Sequence, residues 1–190
     1  MSLSFSGPLD QQWADLRQLQ RPPKQLPDRI RMAVELFPCH LLFVHRDAEA
    51  EPLSERKQEL HSAVQSAFPN GLLPAVCVVP VRMMEAWLLF DEQALRQAAG
   101  RPSGRLPLGL PRLQRLEEVI DPKDKLHRLL IEASGATGRR RKKFPTVERV
   151  HRLASLIEDY SPLRALPAFR ELEQDLRTVL LENHWISEQS

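Results

Sequence analysis

Two short apolar runs, joined by one amphipathic segment, do most to limit what this chain can become. CHLLFVH covers residues 39–45 and LPAVCVVPV covers 73–81, and both are rich in Val and Leu. Each is too short for a helix of its own. Such continuous runs suit strands of a parallel sheet covered on both faces. Between them, LSERKQELHSAVQSAF (53–68) sets Leu53, Leu60, Val64 and Phe68 roughly on one helical face. Ser54 is placed to cap that helix, and Pro69-Asn70-Gly71 to stop it. Strand, helix and strand predict a βαβ unit.

The surrounding chain predicts mostly helix. DQQWADLRQL (10–19) and DRIRMAVELF (28–37) read as amphipathic helices separated by Pro22, Pro23 and Pro27, and LSF (3–5) is a short candidate third strand. Within VPVRMMEAWLLFD (79–91) a strand gives way to an almost wholly apolar helix. Asp91 is placed to cap a further helix over 92–99. RPSGRLPLGLP (101–111) is a loop, and Asp121-Pro122 opens a helix with a cap and a first-position proline. SGATGRRRKKFP (134–145) reads as a flexible basic loop, followed by helices near 146–158 and 167–183. The predicted fold is therefore α/β: a small, mainly parallel sheet flanked by helices over 1–105, then a mainly helical extension over 106–190, the two forming one structural domain.

In open α/β sheets, ligands bind beyond the carboxyl ends of the strands. The first strand leads into VHRDAEAE, where Asp47 and Glu49 stand two residues apart and share a side if the chain stays extended. The second leads to Glu85, the one carboxylate in an apolar segment. A burial of that kind costs several kcal/mol without a partner. Three carboxylates from adjacent strand ends suit a hard cation, Mg²⁺ or Mn²⁺. Plainer roles remain open: Asp47, Glu49 and Glu51 as a solvated acidic loop before a helix, Glu85 as the partner of Arg82, and His45 as a strand-end residue held by hydrogen bonds. Cys39 and Cys77 fall in or beside apolar runs and read as reduced residues, with no zinc-type spacing. No stretch approaches the roughly 18 apolar residues of a membrane span. The opening MSLSFSGPLD lacks a signal-peptide pattern, so the expected setting is cytoplasmic.

These features resemble the Toprim domains of topoisomerases, primases and nucleases. SFSGPLD is similar to that family's apolar strand followed by Glu-Gly-Pro-x-Asp, with Gly7, Pro8 and Asp10 in step. FVHRDAE is similar to its Asp-x-Asp strand end through Asp47 and Glu49. MMEAWLLFD, PKDKL (122–126) and SPLRALPAFRELEQDL (161–176) resemble a Toprim-like family of unknown function. The resemblance implies a Rossmannoid core, acids that bind Mg²⁺, phosphoryl transfer on nucleic acid, and for some members an ATPase partner in defence-type gene clusters. One position departs from the pattern: Ser6 stands where the family carries Glu. A serine supplies no negative charge, which leaves Glu85 as a substitute carboxylate.

The net charge of +2 conceals an uneven distribution. Residues 101–152 hold 14 Lys and Arg against 6 Asp and Glu. Arg139, Arg140, Arg141, Lys142 and Lys143 are consecutive, and Lys123 lies in a smaller cluster upstream with Lys125 and Arg128. Such a run points to a phosphate backbone, or else to a solvated face. Only Phe144 is aromatic nearby, so stacking on single strands is not indicated. Two functions are expected: a Mg²⁺- or Mn²⁺-dependent nuclease with Asp47 and Glu85 catalytic and Asp47, Glu49 and Glu85 on the metal, or a catalytically degenerate module that binds nucleic acid or an ATPase.

Overall fold

The computed structural model describes residues 10–49, 51–71 and 73–187. The candidate strand over 3–5 and the positions Ser6, Gly7 and Pro8 lie outside them. The described fold is mixed α/β and mostly helical, with a two-stranded parallel sheet. The helices and strands are α1 (Leu26–Leu36), β1 (Leu42–His45), α2 (Leu53–Ala67), β2 (Ala75–Val78), α3 (Glu92–Ala98), α4 (Pro122–Ser134), α5 (Gly138–Lys142), α6 (Thr146–Leu156) and α7 (Pro167–Glu182). Short 3₁₀ helices cover Leu16–Gln18, Met84–Leu88, Leu113–Glu118 and Ser161–Ala165. No helix among the described residues is long and apolar enough to cross a membrane. The chain divides into two compact units. One draws on the described parts of Met1–Arg46, Glu51–Val79 and Leu172–Ser190, the other on those of Asp47–Ala50 and Pro80–Glu171.

The first unit holds the βαβ element. β1 and β2 pair in parallel, with Leu42 opposite Ala75 and His45 opposite Val78. In α2, Leu60, Ala63, Val64 and Ala67 are buried at the spacing of one helical face. That helix packs on α1 and β2. Its start differs from the expected Ser54 cap. The Pro52 carbonyl accepts from the Glu55 and Arg56 amides, at 3.1 Å each, and no side chain caps the helix. Arg56 is buried and shares the Glu59 carboxylate with Arg46. Lys57 pairs with Asp175 of α7 at 2.7 Å. β2 is covered as expected, but β1 is not, because Phe43 remains 52% exposed. Cys39 and Cys77 are both free thiols. Burial pushes Cys77 up to about 11, reinforced by the charge of Asp175.

The helix expected over 10–19 shrinks to Leu16–Gln18. Asp15 accepts from the Arg17 amide at 3.1 Å and from the Arg17 guanidinium at 2.8 Å. Its carboxylate thus competes for backbone donors and favours a turn over a helix, and Pro22 closes the space for extension.

The second unit is helical. α4 packs on α3, on α6 and on the Met84–Leu88 turn, burying Leu126, Leu129 and Leu130 almost completely. Both expected aspartate caps are present: Asp91 accepts from the Ala94 amide at 2.8 Å and Asp121 from the Asp124 amide at 2.9 Å. Trp87 is buried and meets Phe169 edge-on, with ring centroids 5.4 Å apart. Beneath it lies Glu117, one of whose oxygens is buried. The Trp87 indole N–H acts on this carboxylate but not in the geometry of a full hydrogen bond. Burial pushes the Glu117 carboxyl above its ordinary value of 4.5, against the smaller pull of the indole and the Ala168 amide.

A carboxyl whose value is raised by folding contributes stability that is full below its unfolded value and is lost as the pH rises through the folded one. Unfolding free energy should therefore decline between about pH 5 and about pH 8 more steeply in the natural protein than in Glu117→Gln. Urea denaturation at the two values checks this, and parallel pH profiles would show that Glu117 does not couple to folding.

Candidate nucleic-acid interface

The basic run is built on the end of α4. Gly135 leaves that helix in the left-handed conformation, φ 67°, which costs glycine little and other residues more. Ser134 Oγ donates to the Ile131 carbonyl at 2.7 Å and accepts from the Ala136 amide at 3.1 Å, fixing the turn. The chain re-enters helix at Gly138, where φ is 53°. The Thr137 carbonyl accepts from the Arg140 amide at 3.1 Å, and the Arg139 carbonyl from the Lys143 amide at 3.2 Å. Within the segment expected as a flexible loop, 134–145, the stretch Gly138–Lys142 is thus the short helix α5. Arg and Lys are good helix formers, and cations near a helix C-terminus suit its dipole. These effects oppose the repulsion of like charges one turn apart, worth a few tenths of a kcal/mol per pair.

Arg149 of α6 reaches the residue that follows the basic run. Arg149 donates to the Ala98 carbonyl at 3.1 Å, and its guanidinium carbon stands 5.9 Å from the centre of the Phe144 ring. That separation is within cation–π range.

All five cations from Arg139 to Lys143 are exposed. Among the described residues none of them forms an ion pair. Helical geometry then sorts them. Arg139 and Lys143 are four residues apart and share a face, with Arg140 beside them. These three line a cavity of about 580 Å³ together with Phe144. Arg141 projects from a different face and lines a second cavity, of about 390 Å³, with Arg101 and Thr137. Arg101 lies close against Gly135, leaving no room there for a β-carbon without movement of its guanidinium. Upstream, Arg96 is buried on α3, paired with Glu92, and donates to the Leu106 carbonyl at 2.7 Å, which ties down the middle of the 101–111 loop.

The smaller upstream cluster does not extend this surface. Lys123 is exposed on the first turn of α4, with about 16 Å of helix axis, at 1.5 Å per residue, between it and the Ser134 end. Arg128 is paired with Asp124 at 2.7 Å.

The expected acidic site takes a different form from the one the spacing suggested. The Ala48 amide donates to the Pro80 carbonyl at 2.9 Å, so the segments that follow β1 and β2 run side by side. Asp47 is half-buried here and Ala48 is buried. At Glu49 the chain turns, with φ 58°, and its side chain is exposed. The extended alternation that would align Asp47 with Glu49 ends at Ala48. Glu85 sits on a 3₁₀ turn rather than an α-helix. A 3₁₀ turn has three residues per turn, so Ala86 and Leu89 share a side and both are buried, while Glu85 is half-buried. Among the described residues no ion pair joins Glu85 to Arg82. Nor, among them, does any group of three or more His, Cys, Asp or Glu fit a metal ion.

No family model matches the chain, and neither does any curated protein or solved structure. The assignment of function rests on the geometry of this chain alone.

Arg149→Met keeps an apolar stem while removing both the bond to Ala98 and the charge over Phe144. Amide exchange at Arg140, Arg141 and Lys143 should then quicken several-fold, because local opening loses its tertiary brake. Unchanged exchange would mean that α5 is held by its own backbone bonds.

Proposed function

We propose that the protein binds the phosphate backbone of nucleic acid through α5. The observation that carries this is the set of five exposed cations, Arg139 to Lys143, which lack an acidic partner among the described residues. Held on one short helix and the residue that caps it, they stay close together without neutralising one another. A polyanion relieves their repulsion and releases its own counterions on binding. Arg141 and Arg101, lining one cavity, extend the positive surface beyond the helix.

Among the described residues no group of three or more His, Cys, Asp or Glu could hold a metal ion; binding of the phosphate backbone is the activity proposed. A Toprim-like ancestry and an ATPase partner rest on the sequence resemblance. The free thiols of Cys39 and Cys77 suit a reducing, cytoplasmic setting.

The test is the salt dependence of oligonucleotide binding, read by fluorescence anisotropy. Neutralising Z phosphates gives a slope of log K against log salt of about −0.7Z for single strands and −0.9Z for duplex. Replacing Arg139 and Arg141 by Glu should lower affinity at least tenfold at low salt and flatten the slope by about 2. Salt-insensitive binding, or binding to anionic vesicles in place of nucleic acid, would overturn the proposal.

A further inference from the structure

The cations of α5 do not stand on a uniformly polar surface. Arg139, Arg140 and Lys143 are exposed, whereas Ala136, Phe144 and Pro145, which line the same cavity of about 580 Å³, are half-buried and apolar. This open, shallow cavity therefore combines an apolar floor, including one aromatic ring, with a cationic margin. A free inorganic anion would leave the apolar groups unused. A purely apolar ligand would leave three charges unanswered. An unpaired nucleotide matches both, with its flat base against Phe144 and Pro145 and its flanking phosphates on the cations. In a duplex each base has its faces covered by neighbours, so the apolar groups here can act only on a base that is out of the stack.

We infer that this cavity receives an unpaired nucleobase, and that the protein prefers single-stranded nucleic acid to duplex. The inference rests on the backbone-binding reading above and adds the class of nucleic acid. It also revises what the sequence indicated, because Phe144, next in sequence to the cations, lines one cavity with Arg139, Arg140 and Lys143. Arg149 fixes that ring, with its guanidinium 5.9 Å from the ring centre and hydrogen-bonded to Ala98. It acts as a positioning residue for Phe144.

The experiment compares a labelled single strand of about ten nucleotides, within the range of a small single-strand site, with two controls. One is the same strand with its bases replaced by abasic sites, and the other is its duplex. The intact strand should bind about tenfold more tightly than the abasic strand at equal salt, the effect of one stacked base. Phe144→Leu keeps apolar volume but loses the ring, and should bring the intact strand down to the abasic level. Phe144→Tyr keeps the ring and should preserve the preference. Thermal melting of both variants separates loss of the ring from loss of the fold. Equal, salt-sensitive binding of intact and abasic strands would overturn the base site and leave backbone binding standing. A preference that survives in folded Phe144→Leu would also overturn it. Binding to no strand would overturn both readings. Tighter binding of an acidic, aromatic peptide than of any strand would assign the cavity to a protein segment and overturn the base site.

Discussion

The parallel pairing of β1 with β2 is the constraint that organises the chain's first half. Parallel strands cannot be joined by a tight turn, so the chain must cross over, and a helix is the economical way to do it. α2 supplies that crossover and buries Leu60, Ala63, Val64 and Ala67 as one face. A two-stranded sheet offers little surface of its own. α1 adds cover by packing on α2, and ion pairs through Glu59 and Asp175 tie down the polar side of the crossover. The same pairing brings the segments that follow both strands together, where the Ala48 amide meets the Pro80 carbonyl.

In the second unit the governing element is α4, whose leucines fill the space between α3, α6 and the Met84–Leu88 turn. A helix held that firmly gives its C-terminal exit a defined direction. Gly135 and Ser134 set the turn, and α5 follows within three residues. Four like charges on so short a helix, with a fifth at its cap, do not stabilise it. The contacts of Arg149 with Phe144 and Ala98 hold the chain just beyond it. The candidate interface is thus a locally weak helix fixed between two well-packed ones, which keeps its charges concentrated and available.

Much of this was legible in the chain. The two apolar runs became β1 and β2, the amphipathic segment became α2, and Asp91 and Asp121 cap α3 and α4 as their positions implied. The misses have local causes. Over five residues, a 3₁₀ turn and an α-helix place apolar side chains too similarly to be told apart, so Glu85 was expected in a more buried setting than it has. Asp15 diverts backbone donors that a helix over 10–19 would need. The glycines at 135 and 138 suggested a loop and outweighed the helix propensity of the arginines that follow them.

Composition and order alone determined the alternation of strand and helix, the capping of α3 and α4, and the concentration of positive charge in residues 101–152. These depend on local propensity, period and charge, which a linear chain carries in full. Tertiary structure decided which groups meet. It brought Arg149 to the Ala98 carbonyl and Arg101 against Gly135, and it left Glu85 half-buried. The physical reason is that such meetings follow from helices packing on residues distant in sequence, as Arg149 does on Ala98. No spacing along the chain encodes those contacts.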